Sequence, residues 1–225
     1  MNKASIVQSI ENVRVVYKKE LQASNVSVAD DEISWRAYNP GIFSNIPYLK
    51  EYRTLLDAQQ YSFLFLDNSF AQIYYNFDVK GELLKAKLAY YPPPQNTKIT
   101  VDELYEDFND ANEWLIESLI EQAQDMDGDE RLINTSHVRF DFDSSVKSHY
   151  KAHLQFGGAN DFRMGSEKIP LPFSFIDLMV NCFDPNARNS KVEMGRYKEA
   201  ASFDKKRFFH SDEKNKEALF ITCVD

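Results

Sequence analysis

Between Tyr61 and Tyr91 the side chains alternate so regularly that little except a β-meander accommodates them. Three β-rich runs, Tyr61–Leu66, Phe70–Phe77 and Leu83–Tyr91, are separated by the turn formers Asp67-Asn68-Ser69 and Lys80-Gly81. A period of two puts one side of each strand into a core and leaves the other side for water or a ligand. Pro92, Pro93 and Pro94 end the meander, since three prolines can neither donate to a ladder nor extend it.

The flanking segments follow other periods. Ile6, Ile10, Val13, Tyr17 and Leu21 recur at spacings of three and four, which predicts a helix over Lys3–Ala23. A polar joint, "SNVSVADDE", and a stretch broken by Pro40, Gly41 and Pro47 lead to a short helix near Tyr48–Gln60. Thr100 and Glu103 form a capping-box pattern that opens an amphipathic helix over about Val101–Gln124. Alternation returns over His137–Asp143 and His149–Phe156 as a second hairpin; "FSFIDLMVNCF" then reads as a helix, and Ala218–Val224 as a final strand. The fold class expected is α+β: a mostly antiparallel sheet of meander, hairpin and C-terminal strand, with helices packed on one face. All 225 residues are expected in a single domain, with 1–60 as lead-in, 61–183 as core and 184–225 as a basic C-terminal segment.

Composition narrows the function classes. No apolar run approaches the roughly 18 residues that span a bilayer, so a membrane partner is excluded from the reading. Cys182 and Cys223 lie far apart in apolar surroundings, which predicts buried thiols and a reducing cytoplasm. The net charge of −9 comes from one segment: 99–130 holds twelve acids and no Lys or Arg, and without it the chain carries +3. Partner choice must therefore be argued locally rather than from the acidic total.

The second hairpin, "HVRFDFDSSVKSHYKAHLQFGG", gathers three of the four histidines. A turn around Val146 would place Val138, Phe140 and Phe142 on a dry side. It would face Asp141 with Lys151, Arg139 with His153 and Asp143 with His149 on the wet side. A solvated face explains the alternation. A cleft would let Asp141 and His153 act as acid and base or hold a divalent metal, with Arg139, Arg163, His149 and His137 binding a phosphate or other ligand.

Five short motifs carry a resemblance. Asp67-Asn68-Ser69-Phe70-Ala71-Gln72, Tyr91-Pro92-Pro93-Pro94, Arg139-Phe140-Asp141-Phe142-Asp143, Ala152-His153-Leu154-Gln155-Phe156-Gly157, and Arg163 followed by Pro172-Phe173-Ser174-Phe175-Ile176 occur in that order. The stretch from about Tyr61 to Cys182 resembles a bacterial family known only as a domain of unknown function. Asn68, Phe142 and Ala152 stand where that pattern has Gly, Tyr and Ser. The resemblance implies a bacterial source and a shared polar core of Arg139, Asp141, Asp143, His149, His153 and Arg163, with no activity attached.

Other motifs fail on spacing. "DMDGDE" has Glu130 and Ser136 where a calcium loop needs Gly and Glu. Asp78, Glu82 and Lys85 do not form the acid and acid-x-Lys arrangement of a restriction-type nuclease, and there is no G-x-S-x-G elbow. "KKRFFH" is the best local nucleic-acid patch, with Lys205, Lys206 and Arg207 as its cations. Segregated charge without a complete catalytic motif points to a non-catalytic binding or accessory component of a bacterial intracellular assembly that handles nucleic acid or serves phage defence. Its expected partner is a protein, with nucleic acid as the second class, and no cofactor is required. The alternative is a metal-dependent phosphodiesterase or nuclease, whose divalent metal Asp141 and His153 would hold.

Overall fold

The computed structural model describes residues 2–39, 48–94, 96–97, 131–132, 136–147, 150–157, 163–183, 194–206 and 209–210. The chain divides into two compact units, residues 1–92 with 136–225, and residues 93–135. Within the smaller unit, β7 (Asn96–Thr97) pairs antiparallel with β8 (Arg131–Leu132). The acidic helix expected over Val101–Gln124 and the strand expected over Ala218–Val224 lie outside the described residues.

The larger unit is α+β. Helix α1 (Lys3–Val16) starts where Asn2 Oδ1 accepts the Ser5 N–H, satisfying one donor of the first turn, and it buries Ile6, Ile10, Val13 and Val16. It stops five residues short of Leu21. Tyr17 leaves the helical path, inserts its ring in the core and donates its hydroxyl to Asp177 Oδ1 at 2.6 Å. Leu21–Ser24 is then free to become β1 against β4 (Phe63–Phe65), so the second half of the expected helix is a turn and a strand. The polar joint is likewise a hairpin, β2 (Val26–Val28) and β3 (Glu32–Trp35), closed by Ala29 N–H donating to the Glu32 carbonyl.

The meander matches its expectation: β4, β5 (Phe70–Phe77) and β6 (Leu83–Tyr91) are antiparallel neighbours. Asn68 holds its first turn at φ 67°, a left-handed conformation that Asn tolerates better than most residues and Gly adopts freely. Asp67 Oδ1 accepts from both the Ser69 N–H and hydroxyl, completing that turn. The sheet continues through β9 (Val138–Asp143), β10 (Ala152–Phe156) and β11 (Arg163–Gly165), giving the order β1-β4-β5-β6-β9-β10-β11, with β3 also on β5. A separate short pair joins β12 (Lys168–Ile169) to β13 (Phe209–His210).

Two apolar clusters occupy opposite faces of the sheet. On one, Ile73, Tyr75, Leu88, Phe140 and Leu154 meet α1, α3 (Pro172–Phe183) and α4 (Met194–Lys205). Each fully buried large side chain there contributes about 1.5–3 kcal/mol. On the other, α2 (Tyr48–Asp57) lays Tyr52 and Leu55 over Phe70, Ala89 and Tyr91. Helix α2 thus packs on the face opposite the other three described helices, and it covers only one end of that face. Cys182 near the end of α3 is exposed, contrary to its apolar sequence surroundings, because α3 buries the stripe of Phe173, Ile176 and Val180 instead.

The first turn of α3 is capped from outside its own segment. Pro172 needs no partner, Phe173 N–H donates to Ser9 Oγ at 2.9 Å, and Ser174 N–H donates to Asp204 Oδ2 at 2.9 Å. Ser9 and Ser174 hydroxyls also donate to that carboxylate oxygen. A helix end buried this deeply requires such partners, and they tie α1, α3 and α4 together.

Candidate functional site

The register of four strands builds one surface on the sheet face that α2 leaves uncovered. Between β6 and β9, Lys85 lies opposite Asp143, Lys87 opposite Asp141 and Ala89 opposite Arg139. Between β9 and β10, Asp141 lies opposite His153 and Arg139 opposite Gln155; between β10 and β11, His153 lies opposite Gly165 and Gln155 opposite Arg163. Residues directly opposite one another share a face. All of these except Ala89 and Gly165 line a groove of about 220 Å³, together with Phe142, Val146 and Lys151.

The hairpin register differs by two residues from the expectation. His153, not Lys151, faces Asp141, and Gln155, not His153, faces Arg139. The connection is longer than a tight turn at Val146 allows: Asp143 Oδ1 accepts from the Ser145 N–H and hydroxyl, and Asp143 N–H reaches the Lys151 carbonyl. An even shift preserves faces and changes partners. Burial raises the Asp143 carboxyl, but hydrogen bonds from Ser145 and Lys85 outweigh it and hold the group below the usual carboxylate value.

Asp141 is the hub. Its Oδ2 accepts from Arg139 Nε at 2.7 Å, and Arg139 Nη2 continues to Gln155 Oε1 at 3.1 Å. The Arg139 side chain is 37% exposed, so the pair contributes about 1 kcal/mol or less and serves more to orient than to stabilise. His153 is buried, with Nδ1 at 3.2 Å from the Tyr150 carbonyl. A carbonyl oxygen only accepts, so this contact needs the proton on Nδ1 and turns Nε2 toward Asp141 Oδ2, 3.8 Å away. Asp141 Oδ1 is buried and has no hydrogen-bond partner among the described residues.

His137 has a different setting. It is 2% exposed, beneath α2, with Nδ1 3.4 Å from Glu51 Oε2 and its ring 4.8 Å from that of Tyr91. Tyr91 donates to Glu51 Oε1 at 3.0 Å, and burial followed by the Glu51 charge raises its phenol well above the ordinary value. His137 therefore belongs to the packing under α2 and does not line the groove.

Among the described residues, no three His, Cys, Asp or Glu side chains are grouped to hold a metal ion. The groove's charge also opposes one: Lys85, Lys87, Arg139, Lys151 and Arg163 stand around two carboxylates, Asp141 and Asp143. That excess of positive charge disfavours a dication and favours an anion.

The chain matches the family described as "Uncharacterized conserved protein (DUF2290)" over residues 15–221. It belongs to that family. The match reaches well beyond the stretch from Tyr61 to Cys182 on which the resemblance rests, taking in α1's end, the β2–β3 hairpin and α4. No curated protein and no solved structure matches this DUF2290 chain.

Of the residues singled out from sequence, Asp141, His153, Arg139 and Arg163 come together in the DUF2290 groove. His149 and Arg207 lie outside the described residues; Lys205 and Lys206, exposed at the end of α4, are not among the groove's lining residues. Sequence reasoning weighed Lys85 only in the failed nuclease motif and missed Lys87, although "KAK" on β6 alternates toward the same face as Asp141. It also missed Glu51, Tyr150 and Gly165, which carry no sequence signal because their roles depend on partners brought near by folding. No described helix is long and apolar enough to cross a membrane.

Proposed function

We propose that this protein is a binding component of an assembly that handles nucleic acid, and that its sheet groove takes a phosphate-bearing ligand. The observation that carries the reading is the set of five cationic side chains lining one groove in a chain of net charge −9. Arg139 and Arg163 supply planar donors suited to phosphate oxygens, and Lys85 and Lys87 supply point charges on the neighbouring strand. Asp141 positions Arg139 through its Oδ2.

The reading is tested by titrating inorganic polyphosphate into the protein at several salt concentrations. Binding should weaken steeply with salt, and the variant Lys87→Ala/Arg139→Ala/Arg163→Ala should lose it while keeping its circular dichroism spectrum. Salt-independent binding, or full binding by the triple variant, would overturn the reading. A second reading, phosphodiester cleavage at Asp141 and His153, is favoured by the buried His153 imidazole, whose Nε2 lies 3.8 Å from Asp141 Oδ2. Cleavage of an oligonucleotide with added divalent metal, lost in Asp141→Asn and His153→Ala, would support it over simple binding.

A further inference from the structure

The cationic face has an aromatic border. Tyr74 on β5 lies opposite Lys87 on β6, so a single row across the sheet runs Tyr74, Lys87, Asp141, His153. The Tyr74 ring stacks on Tyr38 with centroids 4.9 Å apart and planes at 28°, and Trp35 meets Tyr38 edge-on at 4.8 Å. Both tyrosines are half-buried, so part of the stack reaches the surface beside the Lys87 column. Behind the stack, Trp35 Nε1 donates to Gln60 Oε1 at 3.1 Å, and burial followed by the Glu32 charge raises the Tyr74 phenol above its ordinary value.

We infer that the ligand of this face is single-stranded nucleic acid, its phosphates along Lys85, Lys87, Arg139 and Arg163 and a base stacked on the Tyr38–Tyr74 pair. The inference rests on the phosphate-binding reading of the groove and adds the base to it. Cations alone would suit any phosphate polymer. A stacked aromatic pair directly beside them selects a ligand with flat rings attached to its phosphates. Duplex bases are already stacked on each other, whereas those of a single strand can turn onto a protein ring. From β5 to β11 the face spans four strand spacings, roughly 20 Å, room for a few nucleotides. Asp31 and Glu32 bring negative charge to the β3 side of Tyr74, so the phosphate path ends at the tyrosines instead of continuing past them.

The test is fluorescence anisotropy with three labelled probes of equal length: a mixed-sequence single strand, an abasic strand with the same phosphates, and a duplex. The single strand should bind best, with the abasic strand about tenfold weaker, the loss of roughly one stacked base. Tyr74→Leu, which keeps apolar cover, should cost the intact strand about tenfold and leave the abasic strand unchanged, while Tyr74→Phe should bind as the parent does. Equal affinity for intact and abasic strands would overturn the stacking inference and leave the phosphate groove standing. Failure of both strands to bind at low salt would overturn both readings. Preference for the duplex over either strand would overturn the assignment of ligand class.

Discussion

Gly165 is a position where the polar face depends on a side chain that is not there. A Cβ at this residue would stand 2.9 Å from the Tyr150 ring, closer than real Cβ atoms come. The carbonyl of Tyr150 also lies 3.2 Å from His153 Nδ1, as a hydrogen-bond acceptor. Gly165→Ala should therefore lower stability by about 1–3 kcal/mol through overpacking and disturb the His153 imidazole, seen as a denaturation midpoint and an imidazole NMR shift. Adding Tyr150→Ala to Gly165→Ala should recover part of the stability loss; simple additivity of the two changes would show that the clash is not the cause. Alternation in the sequence was enough to put Arg139, Asp141 and His153 on one face. It could not say which residue faces which, because that depends on how many residues the connection at 144–151 absorbs.

At the scale of elements, the three helices under the sheet are joined by polar groups rather than by apolar stripes alone. Asp204 on α4, fully buried, accepts from the Ser174 N–H in the first turn of α3 and from the hydroxyls of Ser9 and Ser174. Asp204→Ala would leave those buried donors unmatched, at about 1–3 kcal/mol for an orphaned group. The expected outcome is a destabilisation of about 3 kcal/mol in chemical denaturation, with Asp204→Asn, which keeps an acceptor, costing less. An alanine variant as stable as the parent would show the cap to be dispensable. The same residue explains why α4 was missed: Tyr197, Ala200, Ala201 and Asp204 have helical spacing, but small and charged members make the stripe weak. For α1 the error ran the other way. Leu21 continues the helical period, yet strand pairing with Phe65 claims it.

For the molecule as a whole, the distribution of tyrosines sets a limit on alkaline stability. Burial raises the phenols of Tyr17, Tyr48, Tyr75 and Tyr91, and pushes Tyr52 up to about 12. Their folded values lie above the unfolded value of about 10, so the neutral phenols contribute fully to stability below it. That contribution is lost as pH rises, between about 10 and 12 for Tyr52. Unfolding midpoints should accordingly fall as pH rises from about 10 toward 12, with tyrosinate absorbance rising together with loss of structure. A flat profile, or full tyrosinate absorbance in the intact fold, would contradict the burial of these rings.

The sequence by itself determined the meander, the faces of the second hairpin, the helix after Pro172 and the α+β class, because these follow from local periodicity and turn chemistry. It also placed Arg139, Asp141, His153 and Arg163 among the candidates. Only the tertiary structure decided that Asp141 faces His153, that Lys85 and Lys87 complete the groove, and that α2 buries His137 against Glu51. Those facts depend on pairings between residues far apart in the chain, which side-chain alternation constrains in direction and leaves open in partner.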